Sequence, residues 1–212
     1  MNIVPNILNF AGNKSYSLPC SFKFKRWEAK TPCIFFRRPT FFSRLLSNIE
    51  FCLSELDKIE YEKGLTQYIN DGRKVNIKFL YEDYNWINAM ICGYGLFANC
   101  KNFNYKLSKC DVEGVQLSQY KIGQFYNKHV DFNGDPETKS HTRKLSMSVQ
   151  LSENNYEGGD LIIYYSGEKY IAPKSKGTVI VFDSKLTHEV TPITKGERYS
   201  LVKWFHGDEP LR

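Results

Sequence analysis

The sequence has no C-x-x-C pair and no cysteine after Cys110. Its six cysteines, Cys20, Cys33, Cys52, Cys92, Cys100 and Cys110, therefore lack zinc-ribbon spacing. No uninterrupted apolar run approaches the roughly eighteen residues of a membrane span, so none is expected. The opening stretch MNIVPNILNFAGNKS has neither a basic n-region nor a long apolar h-region, so no signal peptide is expected. These absences predict a cytoplasmic protein whose thiols are reduced and mostly buried. Internal repeats and low-complexity tracts are missing as well. Histidine is scarce, limited to His129, His141, His188 and His206.

What remains is a chain of 212 residues, 42% apolar and 15% aromatic. That is globular composition, enough for one domain with a real core and marginal for two. The net charge of +6 is unevenly placed. Residues 1–50 carry all of the excess, and residues 51–212 balance 21 basic against 21 acidic side chains. Aromatics interleave with the charge in FKFKRW and FFRRPTFF. Such an arm can touch nucleic acid or another acidic surface. It can equally pack its aromatics on the body while Lys and Arg stay solvated.

Residues 40–63 read as helix in two pieces, with Ser54 at an N-cap and Gly64 as a stop. RKVNIKFLY (73–81) alternates like a strand, and residues 84–98 place Trp86, Ile87, Met90, Ile91, Tyr94 and Phe97–Ala98 at helical spacing. From residue 111 short β-rich runs follow one another: 114–120, 144–151, 160–165, 177–182, 188–193 and 198–205. Turn chemistry separates them, with a positive-φ turn expected at Gly158-Gly159. Helices first and many short strands after predict a mainly β protein, a sheet closed on itself with helices over one outer face. The expected organisation is a basic extension (1–50), a helical support region (51–110) and a β core (111–206), with 51–212 forming one domain. Loops at 65–83 and 132–143 are expected to shape a substrate groove.

One stretch, YNKHVDF (126–132), raises a chemical question. In a strand, positions i and i+2 face the same way, so His129 and Asp131 converge. They are either a solvated polar pair or two ligands of one metal. His188 opens a later strand 57 residues after Asp131, and Arg198 opens the last strand ten residues further on. Two imidazoles and one carboxylate suit non-haem Fe(II), leaving coordination positions open. An arginine offers a planar, permanently charged fork for a carboxylate.

YKIGQFYNKHVD (120–131), RKLSMSVQLSENNYEGGDL (143–161) and GTVIVFDSKLTHEVTPITKGERYSLVKW (177–204) carry a resemblance. The chain resembles the Fe(II)/2-oxoglutarate dioxygenases, in their prolyl 4-hydroxylase-like branch and closest to the small bacterial and phage-type hydroxylases. The resemblance runs from about residue 111 to 206 and is weaker over 51–110. It implies a double-stranded β-helix, or jelly roll, with N-terminal helices on one face. It implies His129, Asp131 and His188 as iron ligands, and Arg198 as the partner of the far carboxylate of 2-oxoglutarate. Tyr120 and Trp204 fall where relatives line the cosubstrate pocket. Where hypoxia-type relatives have a second cosubstrate tyrosine this chain has Gln150, so Ser148 or Gln150 takes that contact. Arg143 faces substrate or pairs on the rim.

The implied reaction hydroxylates an unactivated C–H, most simply a prolyl residue of a protein, releasing succinate and CO2, with L-ascorbate as a supporting reductant. Asp131 favours hydroxylation, because halogenating relatives lack this carboxylate. A free amino acid, another side chain or a nucleobase is the alternative acceptor. Base-demethylating relatives carry a second arginine where this chain has Trp204. A reading of another class is a non-catalytic β-barrel binding module with a basic arm.

Overall fold

A computed structural model describes residues 25–27, 33–37, 66–80, 85–109, 113–132, 142–153, 155–176 and 178–207. The helical reading of 40–63, the loop 133–141 and His141 lie outside these residues. The strands are β1 (Lys25–Trp27), β2 (Cys33–Arg37), β3 (Thr66–Asn70), β4 (Arg73–Leu80), β5 (Leu107–Lys109), β6 (Val115–Tyr120), β7 (Phe125–His129) and β8 (Thr142–Gln150). They continue as β9 (Glu157–Gly158), β10 (Leu161–Tyr165), β11 (Glu168–Ile171), β12 (Val179–Asp183), β13 (His188–Val190), β14 (Ile193–Lys195) and β15 (Arg198–Gly207). One α-helix, α1 (Asn85–Ala98), runs into a π-helical turn (Asn99–Phe103).

Two antiparallel four-strand layers make the jelly roll. The first is ordered β12-β8-β15-β6 and the second β7-β13-β10-β11. β4 joins them: Asn76 to Leu80 pair with β6, while Arg73 and Lys74 pair with β7. The chain passes between layers from β6 to β7, β7 to β8 and β12 to β13, while β10 and β11 form a hairpin within the second. This is the double-stranded β-helix expected from sequence.

Strand alternation divides the first layer's side chains between two cores. Along β15, Tyr199, Leu201 and Phe205 face outward with Leu145, Met147 and Val149 of β8 and Val179 and Val181 of β12. Helix α1 covers this face with Ile91, Tyr94 and Ala98, one turn apart as the sequence spacing predicts, and with Cys92 beside them. The opposite parity, Arg198, Ser200, Val202 and Trp204, faces the space between the layers. There Ile180 and Phe182 of β12 meet Ile163 of β10 and Val190 of β13. The last strand therefore serves the core with one face and a cavity with the other.

The helix sits close. A Cβ added at Gly95 would stand 1.9 Å from Phe205 Cζ, and Phe205 is wholly buried. Gly95→Ala is therefore expected to push α1 off β15 and destabilise the fold by ~1–3 kcal/mol or more, measurable by chemical denaturation.

Two expectations change. Residues 65–83 are not a free loop: β3 and β4 pair in register from Thr66↔Ile77 to Asn70↔Arg73. Backbone hydrogen bonding between a short polar strand and its neighbour asks little of sequence pattern, and β3 escaped notice for that reason. The basic extension also contributes structure. β2 pairs with β12 from Cys33↔Phe182 to Phe36↔Val179, and β1 pairs with β2. Among the described residues no helix is long and apolar enough to cross a membrane.

Candidate active site

His129 ends β7 and His188 opens β13, and these antiparallel strands bring the two residues directly opposite each other. Cross-strand neighbours on one face lie ~5 Å apart at Cβ, and here the ring centroids are 4.1 Å apart. Asp131 lies just past the end of β7. Its N–H and that of Phe132 both donate to the Ser184 carbonyl, at 3.0 and 2.9 Å. That double bond anchors the chain so that the carboxylate meets both imidazoles. The ligand-capable atoms of His129, Asp131 and His188 all lie within 4.8 Å of one another.

The hydrogen bonds around the rings fix their tautomers. Nδ1 of His129 lies 2.7 Å from the Asn127 carbonyl, and Nδ1 of His188 lies 2.9 Å from the Leu186 carbonyl. A carbonyl only accepts, so each Nδ1 carries the proton and each Nε2 keeps its lone pair. Those lone pairs face Asp131, with Nε2 of His129 3.6 Å from Oδ1 and Nε2 of His188 3.4 Å from Oδ2. Acceptors converge on acceptors, an arrangement that a divalent cation between them relieves. The donor set of two imidazoles and one carboxylate fits Fe(II).

Asp131 is held from behind. Ser146 Oγ donates to its Oδ2 at 2.8 Å and lies 2.9 Å from Ser184 Oγ, and both serines are buried. Burial pushes the carboxyl pKa up, but in the metal-free protein the facing His129 and His188 rings, when protonated at Nε2, together with the Trp204 N–H outweigh it and hold Asp131 well below the usual carboxylate range. The ligand atom is therefore ionised at neutral pH. Partners behind a metal ligand typically contribute 10–100-fold to metal affinity. Ser146→Ala is expected to weaken Fe(II) binding by about tenfold while leaving the fold intact, as read by metal titration.

The three residues line one part of a cavity of about 210 Å³. Arg198 also lines it and is only 2% exposed. No carboxylate among the described residues pairs with it. Its guanidinium carbon stands 5.4 Å from the ring centroid of Tyr120, its register partner on β6. A buried cation without an anion is costly, and the side chain is therefore placed for an anionic ligand. Ser148 lines the same cavity. So do Ser200 Oγ, a buried polar atom without a protein partner, and Trp204, whose indole N–H lies toward Asp131 and helps keep that carboxyl ionised. Gln150 does not line it: its amide donates to the Tyr156 hydroxyl at 2.7 Å.

A second group of residues, half-buried, forms the more open wall. The Tyr126 ring stacks on His129 at 3.5 Å, and the Arg73 guanidinium carbon lies 4.7 Å from the Tyr126 centroid. The Arg143 guanidinium carbon lies 3.9 Å from the Trp204 centroid, while its Nε donates to Glu113 at 3.0 Å. Arg143 is thus both cavity-lining and ion-paired. His206 is fully buried beside Glu113, away from the metal-ligand cluster.

Sequence reading identified the metal-ligand trio, Arg198, Tyr120, Trp204, Ser148 and Arg143 as candidates, and all of them line this cavity. It missed Arg73, Tyr126, Ser146 and Ser200. The serines carried a signal: in KLSMSVQL the polar residues alternate with apolar ones inside a strand buried on both faces. Such alternation marks a polar inner wall.

The description "2OG-Fe(II) oxygenase superfamily" matches residues 115–206. A PKHD-type hydroxylase of Synechococcus sp. (strain CC9605) is 36% identical over 97 residues, covering 44% of this chain and 41% of that protein. This chain spans less than half the length of the first curated relatives it matches. A prolyl-4-hydroxylase of Pseudomonas putida superposes with a TM-score of 0.63 at 22% identity, covering 77% of this chain and 88% of that one. A prolyl hydroxylase of Trichoplax adhaerens, in complex with a peptide fragment of the hypoxia inducible factor oxygen degradation domain, gives a TM-score of 0.57 at 19% identity over 73% and 76% of the two chains.

Proposed function

The chain belongs to the 2OG-Fe(II) oxygenase superfamily, with the fold of its prolyl 4-hydroxylases, and from that premise we propose a hydroxylase of prolyl residues in a protein or peptide. One observation carries the reading: an acceptor-only trio of His129, Asp131 and His188 shares one cavity with the buried, uncompensated Arg198. A metal cation answers the first feature and a dicarboxylate answers the second. The carbonyl-pinned tautomers present both Nε2 atoms for coordination, and Asp131 supplies the one anionic ligand.

Arg198 pairs with the far carboxylate of 2-oxoglutarate, and Ser200 offers a hydroxyl within the same cavity, while the Trp204 indole lines it with its N–H toward Asp131. Tyr120 and Ser148 shape the wall beside them. With Fe(II) held by His129, Asp131 and His188 and 2-oxoglutarate beside it, the site would use O2 as oxidant, one oxygen atom entering the C–H as hydroxyl and the other entering succinate as 2-oxoglutarate loses CO2. The chain's own contribution is orientation and exclusion of water. Ile77, Leu161, Phe182, Val190 and Val202 line the cavity with apolar surface. Arg143, stacked on Trp204 and paired with Glu113, is a fixed donor surface on the open wall for a peptide acceptor. The peptide held by the Trichoplax protein supports an acceptor of that class.

The test is anaerobic titration of the metal-free protein with Fe(II) and 2-oxoglutarate, followed in the visible charge-transfer region. A band that needs both additions is expected, and succinate release with a proline-containing peptide should follow on admitting O2. A wild-type protein that gives no band removes the oxygenase reading and leaves a binding module.

A further inference from the structure

The residue at position 150 spends its amide on something other than the cavity. Gln150 Nε2 donates to the Tyr156 hydroxyl at 2.7 Å, and both residues are buried. Tyr156 is not part of the cavity wall; it stands behind it, against Arg198. The two side chains meet over Gly159. A Cβ added there would lie 3.2 Å from Arg198 Cδ and 3.3 Å from Tyr156 Cε2. The same Cβ would stand 2.3 Å from Ile193 Cδ1, so Gly159 is enclosed by all three side chains, and its φ of +62° independently favours glycine. On its other side the ring carries the Lys174 ammonium, 5.0 Å from the centroid. Lys174 is itself tied to the Gly158 carbonyl at 2.7 Å and to Asp160 at 2.9 Å. Tyr156 is thus fixed at its hydroxyl, at its edge and over its face.

A phenolic oxygen has two lone pairs and one proton. Gln150 occupies one lone pair, leaving the other for a neighbouring N–H. The Arg198 side chain lies beside the ring, its Cδ and Tyr156 Cε2 both within 3.3 Å of the point where a Gly159 Cβ would stand, and its charge draws the Tyr156 pKa down although burial, the larger influence, leaves it raised. A guanidinium has five N–H groups in a rigid fork. With its stem held beside that ring, it presents them in a fixed direction. Among the described residues no carboxylate orients Arg198 instead.

We propose that Tyr156, anchored by Gln150, is a positioning residue that aims Arg198 at the far carboxylate of the cosubstrate. The affinity for that anion then depends on two side chains that never touch it. This rests on the oxygenase reading given above. The task is spread over two strands and a loop: Gln150 ends β8, Tyr156 precedes β9 and Arg198 opens β15.

The test compares wild type, Tyr156→Phe and Gln150→Met, each loaded with Fe(II) under anaerobic conditions, by calorimetric titration. Two probes are used: 2-oxoglutarate, and 2-oxobutyrate, which has the chelating 2-oxo acid but no far carboxylate. Tyr156→Phe removes one oxygen and keeps the ring, so the packing over Gly159 survives. Expected is about tenfold weaker 2-oxoglutarate binding in Tyr156→Phe, and a smaller loss in Gln150→Met. Binding of Fe(II) and of 2-oxobutyrate should stay at the wild-type level in both.

Equal 2-oxoglutarate affinity in wild type and Tyr156→Phe overturns the proposal. So does a parallel loss for both 2-oxo acids, which marks Tyr156 as structural. Wild-type protein that binds neither 2-oxo acid overturns the oxygenase reading itself, and that outcome is seen before any variant is made.

Discussion

His188→Ala abolishes the charge-transfer band and succinate formation, and the protein still folds. The expectation follows from how the site is built. His188 supplies one of two imidazole lone pairs, and its register partner His129 supplies the other. With one gone, a single imidazole and a carboxylate remain, too few to hold Fe(II) against water. The loss to stability is modest, because the metal-free trio is a set of acceptors facing one another. What disappears is the hydrogen bond to the Leu186 carbonyl and the edge contact to Phe182, 4.8 Å between centroids. A buried hydrogen bond is worth ~1 kcal/mol, which lowers the melting temperature of a chain this size by roughly 2–4 °C. His206→Ala is the contrast. His206 is as deeply buried but lies beside Glu113, so its loss should lower stability and keep the band. A His188→Ala protein that retains the band and turnover removes His188 from the metal site.

The difference between these two histidines was legible in the sequence. His188 begins a β-rich run and lies ten residues before an arginine that begins another, and such placement carries chemistry. The core strands were legible too, because alternation and turn residues punctuate them: the positive φ at Gly158 and Gly159 stands where the doubled glycine predicted it. What escaped the sequence is what depends on contacts between distant segments. Ser184 anchors Asp131 through its carbonyl and Ser146 through its hydroxyl, and nothing in the text of either segment names the other. Gln150 has the strand parity of the cavity-lining Ser146 and Ser148, yet its amide turns to Tyr156 instead. Position in a strand gives the face of a side chain, and the neighbours decide where its polar end goes. β2 went unseen for a related reason: its bonds to β12 are backbone bonds, indifferent to the basic and aromatic side chains that made the arm conspicuous.

Arg198→Ala weakens 2-oxoglutarate binding by two or more orders of magnitude and, unusually for a buried residue, leaves the metal-free protein as stable as wild type or more so. The two effects have one cause. Removing one partner of a buried, hydrogen-bonded charge pair costs ~2–5 kcal/mol of binding, and each 1.4 kcal/mol is about tenfold. In the protein without cosubstrate the pair is incomplete. Arg198 is 2% exposed, no carboxylate among the described residues answers its charge, and it lies beside the Tyr120 ring and the edge of Tyr156. A buried cation so placed is a debit to folding that the ligand later offsets. Alanine removes the debit and leaves a gap beside Tyr120, so the two contributions oppose each other. Thermal melts with and without 2-oxoglutarate separate them. Wild type should gain about 2.7 kcal/mol at a cosubstrate concentration a hundred times its dissociation constant, and Arg198→Ala at that concentration should gain almost nothing. Arg198→Lys should fall between, since an ammonium keeps the charge and loses the fork. Undiminished 2-oxoglutarate affinity in the alanine variant would reassign Arg198 to a structural role and leave its burial without a physical explanation.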